Sequence, residues 1–593
     1  MDDRQFKKGN SGKNHSYNKS KGQFNRNGAG PYIVGVPVPI PNSISVLPDP
    51  LWLRREDWEE VYSLERSVFV EKRVKPGIFS NWEEVKGILL PVHDRLLEET
   101  DNRIKELGGN QLIVKLYDQL EVMYGTLEKH RIEGMALTAI LDNRKIPTAL
   151  SREWIVRSPQ LLGVRYLIES SIKNGGKGCK PINDDSLLKL IAFGTRIGVM
   201  DAFLDHVFHN IISHELHISR ELIAEPRLSK SGIRSIKRWE KARRERTYEK
   251  TLVDLQGLQE IVDKPIKESQ LTEDRVWKTL DAPMKSELGY SLTEWLHFNK
   301  ALIEYFDHYE RLKVVPKDKF IQYLRKATSL ESDVISLLIK DRSLSRKNLA
   351  KFGRLDMLPS ERFWRDIRLT NRPIVEIEEG MIPLVVFGVE TVQQGMQRYF
   401  QLLTDTRLNL LGFKPKGPIS RAFGTINEKA GNFFRDEIIS ACRKMGLQAE
   451  PEKARIGDIG IPKEIGPVDV FIYDKPHSRF ILVEAKDVSG RITPRELRRQ
   501  KEQFIGRGKG DTKCFLGKLY AQENWYRAQL SELRQEYGVS PDQEITVEGV
   551  IVVSHAMMWV FSQKDDIPVL DDYEFFRRVK DGKELVYRPN WRT

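Results

Sequence analysis

The sequence predicts a multidomain protein in which a mostly helical N-terminal region precedes an α/β domain with a mixed central sheet. The length of 593 residues suggests about three or four domains. Between about residues 55 and 330, apolar residues recur every three or four positions, as on the buried face of an amphipathic helix. Between Gly466 and Val488 the spacing of apolar residues changes to every second position, which is typical of β-strands.

The composition indicates a chain that can build hydrophobic cores and that carries excess positive charge. Hydrophobic residues make up 40% and charged residues 30%, and 96 Lys and Arg against 84 Asp and Glu give a net charge of +12. This excess favours a polyanionic partner without establishing one. The cysteines Cys179, Cys442 and Cys514 lie far apart without a CxxC motif, so neither a disulfide framework nor a zinc ribbon is indicated.

The sequence contains no apolar run of about 20 residues and no apolar core of a signal peptide. We therefore expect an intracellular protein, cytoplasmic or nuclear, with no membrane partner. The low cysteine content fits a reducing compartment of this kind.

Four segments are predicted along the chain. Residues 1–50 comprise a disordered basic tail and, from residue 31, a proline-rich extended segment. The tail is interpreted either as a nucleic-acid-binding arm or as a solubilising segment. Residues 51–330 are predicted to be all-α, in one or two domains. Residues 331–424 are predicted to form a small mixed α/β module that ends in a linker, and residues 425–593 the α/β domain.

The helical region should contain several long amphipathic helices, one of which carries four histidines. The predicted helices are Trp58–Val74, Trp82–Leu107 with a break at Pro91, Leu112–Leu141, Ser186–Leu222 and Ser291–Leu312. The histidines are His206, His209, His214 and His217. Each i, i+3 pair could bind one metal, but the HELH sequence lacks the HExxH spacing of zinc proteases. A half-buried polar helix face is the favoured interpretation.

A basic segment, Arg227–Lys250, follows the histidines. If it is helical, five basic residues share one face: Arg234, Lys237, Arg238, Lys241 and Arg244. Such a face could follow a phosphate backbone, and Trp239 and Tyr248 would be available for stacking on bases. The alternative is a long helix whose charged face contacts only water.

In the mixed module, Arg372–Phe387 is predicted to form two short strands joined at residues 378–380. A helix, Val389–Leu403, should follow them. Lys414–Ser420, with two prolines and two lysines, is the predicted linker.

The period-two stretch predicts a β-hairpin whose register can be derived from its side chains. With Lys475–Ser478 as a four-residue loop, Asp474 faces Arg479, and aromatic and β-branched residues pair across the two strands. The mismatched pair is Asp469 opposite Glu484, two carboxylates about 5 Å apart at Cβ.

A divalent cation would relieve this repulsion. Carboxylates are ligands that Mg²⁺ prefers, together with water and substrate phosphate. Lys486 follows Glu484 by two residues and therefore points to the same face of the strand. Two acids, a metal and an ammonium group form an arrangement suited to cutting phosphodiester bonds, because the metal polarises the phosphate and activates water.

Asp469 followed by Glu484-Ala485-Lys486 resembles the motif of the PD-(D/E)XK nuclease superfamily, which has the restriction-endonuclease-like fold. Pro467 lies two positions before the aspartate instead of beside it. The predicted order of helix, hairpin, helix and strand also matches that fold, and the resemblance covers about residues 425–585.

The resemblance implies specific roles for residues around the hairpin. Glu437, on the preceding helix Gly431–Met445, matches an acidic position that reaches the metal in some family members. The carbonyl of Ala485 would be a further metal ligand. Gln500 and Gln503 match a polar helix position that some relatives use near the site.

The sequence therefore predicts a Mg²⁺-dependent (or Mn²⁺-dependent) nuclease that hydrolyses nucleic-acid phosphodiester bonds. DNA is the leading candidate for the substrate, although no residue pattern distinguishes DNA from RNA. In this prediction Asp469 and Glu484 hold the metal, Lys486 positions the attacking water, and the helical region selects the substrate or a partner. The main alternative is a non-catalytic nucleic-acid-binding or scaffold protein with a degenerate nuclease domain. A third interpretation is that the helical region binds only protein. Whether the chain forms a homodimer or needs a protein partner is left open.

Overall fold

The structure is a computed structural model, which describes most of residues 50–588. The gaps are residues 108, 142–145, 176–177, 179, 243–269, 307–309, 350–367, 380–381, 405–412, 415, 489–493, 507–512 and 564, and side chains are also not described at 130–156, 270–278, 379, 401 and 404. Upstream, the backbone of an antiparallel pair is described, β1 (Tyr32–Ile33) and β2 (Val36–Pro37), in a separate unit, Met1–Asn42. The predicted tail 1–30, Arg244 and Tyr248 lie outside the described residues.

The second unit, Ser43–Thr593, begins with long helices, as predicted. They are α1 (Glu59–Glu71), α2 (Trp82–Leu107), α3 (Gly109–Leu141), α4 (Ile146–Asn174), α5 (Asp184–His209) and α6 (230–242). Helix α2 continues through Pro91, so the predicted break is wrong. Leu89, Val92 and Leu96, on both sides of the proline, are fully buried in one core, and this packing offsets the missing backbone hydrogen bond.

A three-stranded antiparallel sheet corrects the all-α prediction for residues 51–330. Its strands are β3 (Gly77–Phe79), β4 (His214–Ile218) and β5 (Ala224–Leu228), with β4 in the centre. The helix predicted from Ser186 to Leu222 ends early because Asn210 adopts a left-handed conformation at φ 45° and caps α5. From His214 onward the burial follows a period of two, with Leu216 and Ile218 in the core.

The mixed module contains the predicted strand pair and the predicted helix. From residue 270 to residue 404 the helices and strands are α7 (Gln270–Leu288), α8 (Leu292–Glu304), β6 (Leu312–Pro316), α9 (Lys317–Thr328), α10 (Ser332–Arg342), β7 (Ser343–Leu344), α11 (Arg346–Leu349), β8 (Ile374–Glu379), β9 (Ile382–Gly388) and α12 (Val389–Thr404). The first four of these lie within residues 51–330, so β6 is a further strand in the segment predicted to be all-α. The sheet order is β6-β9-β8-β7. Leu344, Val375 and Val386 belong to the same hydrophobic core as α2–α5, so the predicted boundary at residue 331 does not separate two cores.

The C-terminal part is an α/β structure with a mixed sheet, as predicted. It contains α13 (Pro418–Lys444), β10 (Gln448–Pro451), β11 (Arg455–Ile456), β12 (Ile459–Gly460), β13 (Val470–Asp474), β14 (Arg479–Lys486), α14 (Pro494–Ile505), α15 (Phe515–Ala528), α16 (Leu530–Tyr537), β15 (Thr546–Val553), β16 (Val569–Asp571) and α17 (Asp572–Lys580). The central sheet has the order β10-β13-β14-β15-β16. Its first three strands are antiparallel, and β14, β15 and β16 run parallel.

The register predicted for the hairpin is confirmed over the paired residues of β13 and β14. The pairs are Val470 with Val483, Phe471 with Leu482, Ile472 with Ile481, Tyr473 with Phe480, and Asp474 with Arg479. This alternation gives the sheet two buried faces. Phe471, Phe480 and Leu482 form one core with residues of α14 and α15. Val470, Ile472 and their neighbours form another core with residues of α13.

Candidate active site at the end of the hairpin

Asp469 lies directly before β13, where that strand begins beside the end of β14. Its Oδ2 accepts hydrogen bonds from the backbone N–H of Ala485 and from Lys486 Nζ, both at 2.9 Å. The segment before Asp469 is fixed by Gln522, whose buried side-chain amide donates to the carbonyls of Gly466 at 3.3 Å and Pro467 at 2.8 Å. The hairpin and α15 together therefore set the position of the carboxylate.

Glu484 and Lys486 lie on the same face of β14, as the period of two requires. Lys486 Nζ is 2.7 Å from Glu484 Oε1, so a single ammonium group bridges both carboxylates. The side chain of Glu484 is only 2% exposed, whereas those of Asp469 and Lys486 are 28% and 22% exposed. The cluster thus combines one buried acid with two groups that solvent can reach.

A second lysine, Lys518, completes the cluster. It lies in the first turn of α15 and donates to both carboxylate oxygens of Glu484, at 3.2 and 3.3 Å. Neither Lys518 nor Gln522 is among the residues that the sequence predicts for this site. A signal was present, because the two residues are four apart beside the buried stripe of Leu519 and Tyr526, where the helix periodicity calls for inward-facing side chains.

The electrostatics of the cluster keep Lys486 charged. Burial alone would lower the pKa of Lys486, but the charges of Glu484 and Asp469 outweigh burial and raise this pKa above its usual range. The ammonium also lies 5.1 Å from the ring centre of Phe515, a favourable cation–π distance. Two carboxylates and two ammonium groups give a formal charge of zero.

The donor set fits a hard divalent cation. Asp469 and Glu484 contact the same ammonium nitrogen, so their oxygens converge on one small volume, and Mg²⁺ typically takes one or two carboxylates with water and phosphate. Within the described ranges, no group of three or more His, Cys, Asp or Glu residues is arranged to hold a metal ion. A metal here would therefore need ligands from water, the backbone or a substrate.

The other residues that the resemblance implied lie at different positions around the sheet. Glu437 is exposed on α13, and the apolar side of that helix packs on the face opposite to Glu484 and Lys486. Gln500 is buried on α14, on the same side of the sheet as the cluster, and Gln503 is exposed. A metal-binding role for Glu437 stays a prediction.

The described part of the basic segment is the helix α6. Arg234, Lys237 and Lys241 are exposed on it, and Arg238 is half-buried. Trp239, considered as a stacking platform, instead packs into the core of the C-terminal part, and its indole N–H donates to the carbonyl of Ala556 at 3.0 Å. Ala556 comes shortly after β15, so α6 contacts the carboxyl end of the strand beside β14.

The four histidines do not share a helix. His206 and His209 lie on α5, while His214 and His217 lie on β4. The rings of His206 and His214 stack with their centres 4.7 Å apart. His209 is 3.1 Å from Asp205, and His217 is 3.0 Å from Glu225. The prediction of one continuous polar helix face is wrong because α5 ends before His214.

Comparisons of the chain with protein-family models, with curated proteins and with solved structures gave no match. Among the helices that the structure describes, none is long and apolar enough to cross a membrane.

Proposed function

We propose that the protein is a metal-dependent nuclease that hydrolyses phosphodiester bonds, with DNA as the first substrate to test. The observation that carries the proposal is the convergence of Asp469, Glu484 and Lys486 at the end of β14, on a mixed sheet covered by helices on both faces. Asp469 and the Glu484–Lys486 pair are also the residues that resemble the PD-(D/E)XK motif.

Asp469 and Glu484 would hold Mg²⁺ or Mn²⁺, and the family resemblance adds the carbonyl of Ala485. The metal, when bound, supplies polarisation of the phosphate and activation of water. Lys486 is charged and partly exposed, so it can hold the attacking water or a phosphate oxygen by a charge-assisted hydrogen bond. Lys518, half-buried beside Glu484, can balance charge that develops on the phosphate.

The exposed cations of α6 support a nucleic-acid substrate. Arg234, Lys237 and Lys241 point to solvent, and the bond from Trp239 to Ala556 anchors their helix at the carboxyl end of β15. The candidate active site lies at the carboxyl end of the neighbouring strand β14. A nucleic-acid backbone bound to α6 would therefore lie near the cluster, with phosphate contacts that position it irrespective of sequence.

The rival function is a non-catalytic nucleic-acid-binding or scaffold protein. One observation favours it: the two carboxylates are already neutralised by Lys486 and Lys518, so the cluster is charge-balanced without a metal. In that case the four charged groups would serve as a structural ion-pair network.

A substrate panel tests the proposal. Purified full-length protein is incubated with linear, circular and single-stranded DNA and with RNA, in Mg²⁺, in Mn²⁺ or in EDTA, and binding is measured in parallel. We expect cleavage of at least one polymer in the metal buffers and none in EDTA. Binding of nucleic acid without cleavage under every condition would support the scaffold function instead.

A further inference from the structure

A cavity of about 340 Å³ lies between the helical region and the start of α14. Helices α3, α4, α5 and α12 contribute to its wall, and Pro494 closes one side. Its volume falls in the range of small-molecule sites, about 300–1,000 Å³. The described residues that line the cavity are different from those of the candidate active site. A ligand of this cavity would therefore occupy a second, separate site.

Three of the described residues that line this cavity are arginines: Arg165 on α4, Arg368 before β8, and Arg398 on α12. They come from distant parts of the sequence, and the fold brings them to one place. A planar guanidinium presents paired donors that match the oxygens of a phosphate group. The Nε–H of Arg165 donates a hydrogen bond to the backbone carbonyl of Leu161, and this bond uses one of the five N–H donors of the guanidinium group.

Both acidic residues of the described lining have a basic neighbour. Glu169 is held by Arg368 at 2.8 Å, and Asp205 is 3.1 Å from His209. Burial lowers the pKa of His206 to about 4, so this lining histidine is neutral at pH 7. Among the lining residues that the structure describes, three guanidinium groups thus stand beside two carboxylates.

We propose that this cavity binds a nucleoside phosphate, with Arg165 and Arg398 on the phosphate group. The volume is far larger than a single phosphate requires. Its wall also includes Tyr124, Leu162 and Ala202, which offer a surface for a planar base. The carboxylates of Glu169 and Asp205 can accept hydrogen bonds from the hydroxyls of a ribose. The proposal does not depend on nuclease activity.

Calorimetric titration of the full-length protein in EDTA tests the proposal, with AMP, ATP, inorganic phosphate and adenosine as probes. We expect AMP or ATP to bind and adenosine and phosphate alone to bind much more weakly. Arg165→Gln and Arg398→Gln should each weaken nucleotide binding about tenfold or more, as for a lost charge-assisted hydrogen bond. Arg325→Gln, which removes an exposed arginine from α9, is the charge-matched control and should bind as the parent does.

Two further variants keep the outcome clear. Arg398→Lys retains the charge but not the paired donors, so it should also weaken nucleotide binding. It replaces Arg398→Gln as the test if that variant fails to fold. Lys486→Ala should bind nucleotide as the parent does, which separates this cavity from the candidate active site. The proposal is overturned if no nucleotide binds, if phosphate binds as tightly as AMP, or if the arginine variants bind unchanged.

Discussion

Lys518 donates to both carboxylate oxygens of Glu484, although the two residues are 34 positions apart in the sequence. This contact adds a second ammonium group to a cluster in which Lys486 already bridges Asp469 and Glu484. Because the four charges cancel, a bound divalent cation would leave the cluster with excess positive charge. The phosphates of a nucleic acid could balance that excess, so metal binding and substrate binding should be coupled.

The coupling predicts that the parent protein binds Mn²⁺ weakly alone and more tightly with uncleavable DNA bound. Lys518→Ala should bind Mn²⁺ more tightly than the parent in the absence of DNA, because one repelling charge is gone. Titration of Mn²⁺ by electron paramagnetic resonance, with and without a phosphorothioate duplex, measures both effects. Lys475→Ala, at the exposed turn of the same hairpin, is the control. Equal affinity in parent and Lys518→Ala would contradict the coupling.

Gln522→Ala should reduce cleavage more than it reduces DNA binding. The fully buried amide of Gln522 holds the carbonyls of Gly466 and Pro467, and its loss leaves two acceptors unpaired just before Asp469. We expect a loss of about 1–3 kcal/mol in the free energy of unfolding, with a misplaced Asp469. Denaturant unfolding and a cleavage assay measure the two effects. Gln535→Ala, exposed on α16, should change neither, and an unchanged cleavage rate in Gln522→Ala would show that Gln522 does not position Asp469.

Arg234→Ala and Lys237→Ala should weaken DNA binding similarly for all sequences, because phosphate contacts carry no sequence information. Each substitution should reduce the slope of log affinity against log salt concentration by about one. Fluorescence anisotropy at a series of salt concentrations gives the slope. Arg325→Ala, on α9, should leave it unchanged. If neither Arg234→Ala nor Lys237→Ala changes the slope, the charged face of α6 contacts only water.

The buried carboxyl of Glu121 predicts a pH dependence of stability. Burial raises its pKa to about 8, from an ordinary 4.5, while its oxygens accept hydrogen bonds from the backbone N–H groups of Glu390 and Thr391 at the start of α12. A raised pKa in the folded state means that this contribution to stability is fully present below pH 4.5 and is lost as the pH rises through 8.

Glu121→Gln removes the titrating group while keeping its size. The melting temperature of the parent should therefore fall relative to that of the variant between pH 5 and pH 9, and scanning calorimetry of both proteins over this range measures the difference. Parallel pH profiles would contradict the assignment. Glu310→Gln, at an exposed position, is the control and should follow the parent.

Features that depend on residues close together in the sequence could be predicted, whereas features that depend on contacts between distant segments could not. The register of the hairpin followed from cross-strand pairs 5 to 13 positions apart in the sequence, and it placed Glu484 and Lys486 on one face as observed. The end of α5 was missed because Asn210 leaves the helical conformation within an otherwise helical pattern of apolar residues. Helix periodicity can indicate that Lys518 faces inward, but it does not reveal that its partner is Glu484, because this contact joins distant segments. The packing of Trp239 against the C-terminal core depends on a distant segment in the same way.

The most direct test of the nuclease proposal compares Lys486→Ala, Asp469→Asn and the control Lys475→Ala under conditions in which the parent cleaves. Cleavage rate is measured in Mg²⁺ and DNA affinity in EDTA. We predict that Lys486→Ala and Asp469→Asn each lose at least a hundredfold in rate, as for removal of a group that stabilises the transition state, and still bind DNA, while Lys475→Ala behaves as the parent does. Parent-like cleavage by Lys486→Ala or Asp469→Asn would contradict the account, because the activity would then arise elsewhere.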